Sequence, residues 1–179
     1  MGSEGPLFDP FADRLARDIR NELSTAFVQG LEKNENSRYR SAAERYLAKD
    51  LPPAHRDYIL DRLKRYDEVF AVIVQRRIKD PFGQSEVLWN RGLLFEVHER
   101  LEVIWHDVPK EARNAIKGVI QAIAAYLHRQ CGHEEISLRL ARKAAELLHQ
   151  YGRALPASFN YEPVVAWLEK PELGPPPRL

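Results

Sequence analysis

The sequence predicts an all-α protein, a compact bundle of about six or seven helices arranged as antiparallel pairs. Three observations carry this. Apolar residues recur at helical spacing almost from end to end, no stretch alternates apolar and polar residues as a half-buried strand would, and proline and glycine fall where one periodic segment gives way to the next. At 179 residues the chain is long enough to bury roughly 70% of its unfolded surface without a disulfide or a structural metal.

Asp9 followed by Pro10 predicts a cap and first turn, after which Leu15, Ile19, Leu23, Phe27 and Leu31 form the apolar stripe of a first helix. The polar run KNENSRYR ends it. Tyr39, Ala43, Tyr46 and Leu47 predict a second helix that stops before Pro52 and Pro53, and Ile59, Leu63, Tyr66, Phe70 and Ile73 predict a third. Pro81 and Gly83 then separate an N-terminal helical half, residues 1–80, from a C-terminal half, residues 84–170, within one compact domain.

The second half opens on a short helix through Val87, Leu88 and Trp89 that breaks at Asn90 to Gly92. A helix then runs to His106. Asp107, Val108 and Pro109 precede a long helix over 110–129, Gly132 ends it, a helix over 134–150 stops at Gly152, and a last short one spans Val164 to Leu168. The tail, residues 171–179, ends in GPPPRL, whose prolines predict an extended or disordered segment.

Composition excludes several functions. Lysine plus arginine, 27, and aspartate plus glutamate, 26, give a formal net charge of +1, so no global field recruits nucleic acid or an anionic membrane. Arg38, Arg40 and Arg45, and Arg76, Arg77 and Lys79, are interleaved with acids and read as solvated helix faces. No apolar run approaches the ~18 residues of a membrane span. The single cysteine, Cys131, forms no internal disulfide, and the opening MGSEGPLFDP lacks the pattern of a signal peptide; both predict a reducing cytoplasm. Gly2 opens no myristoylation signal, because Pro6 stands where serine or threonine is wanted.

The chemistry concentrates in FEVHERLEVIW, Phe95 to Trp105. His98 and Glu102 stand at i and i+4 on one helix face, with Glu99 beside them. Buried charge is costly unless paired or coordinated, so this cluster calls for a partner or a metal. On the helix over 110–129, Gly118, Gln121, Ala125 and His128 share a face. The short connection at residues 106–109 predicts that this helix folds back antiparallel, so that His98, Glu102, Gln121 and His128 face one another.

The strings LWNRGLLFEVHERLEVIW and KGVIQAIAAYLHRQCGH resemble the bacterial and archaeal helical family catalogued as domain of unknown function 309. The residues carrying the resemblance are Asn90, Gly92, Phe95, Glu96, His98, Glu99, Leu101, Glu102, Trp105, Gly118, Ile120, Gln121, Ala124, Ala125, His128 and Gly132, over roughly residues 86–140. The resemblance implies a compact helical fold and a metal-dependent hydrolase. The chain departs from the family after Gly132, where His133 replaces the usual asparagine and Ile136 and Ser137 replace a Gly-Ala pair.

As ligands for a zinc, manganese or iron ion, His98, Glu102 and His128 offer imidazole nitrogen and carboxylate oxygen, with Glu99 as catalytic general base and Glu96, Gln121 and Trp105 supporting them. The spacing is neither the His-Glu-x-x-His zinc-protease motif nor the paired Glu-x-x-His of di-iron bundles. The structural reading of the same residues is a polar core that fixes the register of two packed helices, with Phe95 and Trp105 as core anchors. His133 reads as a cap residue, His55 and His149 as surface histidines, and Cys131 as unactivated.

The segment Gln84 to Trp105 also resembles the helical hairpin of tetratricopeptide-like scaffolds, without a repeat at fixed period. The alternative to a hydrolase is therefore a non-enzymatic interaction module. Partners on these readings are a small molecule or a protein, with no nucleic acid and no membrane, and the apolar surface of a small helical protein allows a homodimer.

Overall fold

Asp13 opens the first long helix, where Asp9 was expected to, and local hydrogen bonding explains the difference. In the computed structural model, which describes residues 8–170 and 172–179, the Asp9 carboxylate accepts from the Phe11 amide at 2.8 Å and closes a separate turn. The Asp13 carboxylate then accepts from the Leu15 amide at 2.8 Å and caps α1, Arg14–Lys33. Gly2 and Pro6 lie outside the described residues.

The chain divides into two compact units, Met1–Arg77 and Ile78–Leu179. In the first, α1 is followed by α2, Ser37–Leu47, and α3, Pro53–Arg76. Tyr46 bonds Glu22 and Phe27 meets Tyr39, so α2 runs antiparallel to α1; Asp13 meets His55 and Phe27 meets Tyr66, so α3 runs parallel to it. The predicted stripe residues Ile19, Leu23, Phe27 and Leu31 are buried, whereas Leu15 in the first turn is exposed. At the centre Phe27 stacks on Tyr66 at 4.1 Å, and Tyr39 meets both rings edge-on. Such pairs contribute about 0.5–1.5 kcal/mol each beyond the area they bury, and Phe27→Ala would cost roughly 3–5 kcal/mol.

The second unit contains α4, Pro81–Asn90; α5, Leu94–Ile104; α6, Lys110–Gln130; α7, Glu134–Tyr151; and α8, Glu162–Leu168. Eight α-helices among the described residues slightly exceed the expected six or seven, and no described residue is in a strand. None of the described helices is long and apolar enough to cross a membrane. Pro81 proves to be a helix starter: it occupies the first turn of α4, and Asp80 before it accepts from the Phe82 and Gly83 amides.

The small-residue face of α6 serves α7. A Cβ on Gly118 would lie 2.9 Å from Leu148 Cγ, so only glycine permits this approach. With Arg129 paired to Glu134 at the other end, the two helices run antiparallel. Gly132 takes the left-handed conformation, φ 78°, that the turn between them requires. Gly152, expected as a stop of the same kind, has φ −54° instead. Its missing side chain makes room for Tyr161, whose ring would lie 2.3 Å from an added Cβ.

A candidate metal site on α5

The orientation of α5 follows from its apolar residues. Gly92, at φ 68°, turns the chain between α4 and α5, and the Leu93 amide bonds back to the Leu88 carbonyl at 3.0 Å. Leu93, Leu94, Val97 and Leu101 are buried. At about 100° per residue this rotates Phe95, His98, Glu99 and Glu102 toward the boundary with solvent.

There, His98 Nε2 lies 3.3 Å from Glu102 Oε1, and His98 Nδ1 lies 3.3 Å from Glu99 Oε1. Phe95 stacks on the imidazole, ring centres 5.4 Å apart and nearly parallel. One ligand atom from each of His98, Glu99 and Glu102 falls within 4.8 Å of the others. His98 and Glu99 are 24% exposed and Glu102 is 56% exposed, so water and ions reach the group. A neutral imidazole has one N–H and can donate to only one carboxylate; its other nitrogen presents a lone pair. Two carboxylates at this spacing repel by roughly 1 kcal/mol even in water, and a cation between them reverses that term.

His128 is not among the residues whose ligand atoms gather here. His128 Nδ1 is 3.1 Å from His133 Nδ1, so one ring donates to the other across the turn between α6 and α7. His133 does occupy the capping position of α7, yet its side chain caps no amide. Axial depth separates His128 from His98: at 1.5 Å per residue His98 stands about 9 Å from the end of α5, whereas His128 stands about 27 Å along α6 from its start. Matching helix faces does not match depths. Gln121 Oε1 is buried and accepts no hydrogen bond among the described residues.

Glu96 is fully buried on the opposite side of α5 from His98. Arg100, one turn on and also buried, donates from Nε to Gln84 Oε1 at 2.7 Å, and Gln84 Nε2 donates to the Ile78 carbonyl at 2.8 Å. The sequence reading missed Arg100 and Gln84; the signal available was Arg100 at i+4 from Glu96. Trp105 lies in a half-buried 3-10 turn and Phe95 is half-buried, so neither is the core anchor expected of it. His149 is exposed as expected and pairs with Glu169 at 2.6 Å, whereas His55, expected at the surface, is 1% exposed.

Residues 84–140 match the family model described as Domain of unknown function (DUF309). This DUF309 segment runs from α4 into α7 and contains His98, Glu99, Glu102 and His128. No curated protein and no solved structure was found to match the chain.

Proposed function

We propose that the protein is a metal-dependent hydrolase whose divalent ion, zinc, manganese or iron, is held on α5 by His98 and Glu102. The observation that carries this reading is the convergence of ligand atoms from His98, Glu99 and Glu102 within 4.8 Å on the DUF309 segment. The donor set fits: one imidazole nitrogen and carboxylate oxygens suit these ions, and a site built from one helix leaves coordination positions open to water. A bound ion would supply Lewis acidity and a water acidified toward neutral pH.

The chain's own groups divide the remaining work. Glu99, whose Oε1 lies 3.3 Å from Nδ1 without completing a hydrogen bond, would after a small reorientation accept the imidazole N–H and leave the Nε2 lone pair for the ion. The second Glu99 oxygen is the candidate general base. His128 is left out of this ligand set because the ligand atoms that gather are those of His98, Glu99 and Glu102. The exposed carboxylate of Glu102, with His98 and Glu99 partly exposed beside it, argues against the alternative, in which the cluster is a structural polar core of an interaction module.

Metal content of the purified chain, before and after anaerobic reconstitution with zinc, manganese and ferrous iron, tests the site. One equivalent, lost in Glu102→Gln, is expected; none after reconstitution overturns the proposal. Metal-stimulated turnover in a panel of chromogenic esters, amides, phosphates and glycosides tests the hydrolase.

A further inference from the structure

Residues 172–179 of the tail, predicted to be extended or disordered, have no regular secondary structure, yet they are held by side chains of α4 and α8. Trp167 Nε1 donates to the Gly174 carbonyl at 3.0 Å, and Trp89 Nε1 donates to the Pro177 carbonyl at 2.7 Å. Asn90 brackets Leu179: its Nδ2 donates to the Leu179 oxygen at 3.2 Å, and its Oδ1 accepts from the Leu179 amide at 2.9 Å. Leu173 anchors the near end, 7% exposed. Trp89 and Trp167, both 2% exposed, meet edge-on at 6.4 Å and form the floor.

All four hydrogen bonds read tail backbone, and none uses a tail side chain. The two indole N–H groups, donors only, take the carbonyls of Gly174 and Pro177 at either end of the proline run, whose residues cannot donate from their backbone and so leave such carbonyls unengaged within the tail. Such a run is also preformed as an extended left-handed helix, so little conformational entropy is lost when it docks. The paired bonds of Asn90 resemble one rung of a β-ladder and fix the register of the run. Nothing in this set of contacts requires the occupant to be covalently attached.

We propose that the groove formed by Trp89, Asn90 and Trp167 is a recognition site for an extended proline-rich peptide of a partner protein, with residues Gly174–Leu179 as its intramolecular occupant. The site is separate from the cation cluster, and either can hold or fail without the other. Attachment gives the cis segment an effective concentration on the order of millimolar, so a peptide in trans competes at that disadvantage. Weakening the cis segment while leaving the groove intact therefore strengthens binding in trans.

The test uses the full chain and a synthetic peptide of sequence Gly-Pro-Pro-Pro-Arg-Leu. The peptide carries a 15N label on its leucine amide and is followed by nuclear magnetic resonance. Its signal should shift saturably as the chain is added, and a peptide with the prolines replaced by glycine should not compete. Pro177→Gly in the chain, which loosens the tail without touching a groove residue, should tighten peptide binding several-fold. Asn90→Ala in that background should weaken it about tenfold. Absence of any shift at millimolar peptide in both the parent chain and a folded Pro177→Gly variant overturns the proposal and makes the tail a structural strap. Dimerisation that grows with concentration and is not reversed by the peptide also overturns it, in favour of tail exchange between two copies.

Discussion

His55 Nε2 lies 2.7 Å from Asp13 Oδ2, so the residue that caps α1 also ties α1 to the first turns of α3. The imidazole is buried beneath Phe8, whose ring meets it edge-on at 5.3 Å. His55→Ala strands the second oxygen of the cap and empties a buried site. It should destabilise the first unit by about 1–3 kcal/mol, measured by urea unfolding.

The same pair predicts a response to acid. Burial alone would raise the Asp13 carboxyl, but hydrogen bonds from the Leu15 amide and His55 outweigh it and hold it below its ordinary value. A carboxyl depressed in the folded state contributes stability above its unfolded value, and that contribution is lost as pH falls through the folded one. The loss should appear below about pH 4 in thermal melts and be absent in Asp13→Asn, which keeps a capping oxygen.

Alkaline pH acts on the same unit with the opposite sign. The Tyr46 hydroxyl donates to Glu22 at 2.8 Å and the Tyr39 hydroxyl to Asp67 at 2.8 Å. Burial and then these carboxylates push both phenols up, Tyr46 to about 12. A group raised on folding contributes fully below its unfolded value near 10, and loses that contribution as pH rises through 12. Circular dichroism followed from pH 9 to 12.5 should show the loss. Tyr46→Phe should cost ~1 kcal/mol at neutral pH and weaken the alkaline transition.

On α5, variants separate a ligand site from a polar core. His98→Ala should abolish divalent binding while moving the melting temperature in chelator by less than about 5 °C, because the imidazole is only partly buried. Glu99→Gln should weaken metal affinity about 10–100-fold without removing the site. A large loss of stability in His98→Ala, with no change in metal content, would assign the cluster to packing alone.

Two glycines should resist even small side chains. Gly152→Ala drives a methyl into the Tyr161 ring and should cost about 3 kcal/mol, partly relieved in Gly152→Ala/Tyr161→Ala. Gly118→Val meets Leu148 and Leu147 and should cost about 2–3 kcal/mol. Calorimetric melts of the single and double variants measure both.

Helix class, helix order and most helix boundaries were legible in the sequence because they depend on neighbours within one or two turns. The period of Ile19, Leu23, Phe27 and Leu31 and the left-handed Gly132 are local quantities. So is the placing of His98, Glu99 and Glu102 together, since Glu102 stands four residues from His98 and three from Glu99, spacings that meet on one helix without a tertiary contact. What the tertiary structure alone decided is whatever depends on depth and on distant partners. Face arithmetic put His128 opposite His98, but its depth along α6 took it to His133. His55 and Asp13 are 42 residues apart and Asn90 and Leu179 are 89 apart, and no local period records such a meeting. Periodicity tells a side chain which way to face; only packed helices determine what it finds there.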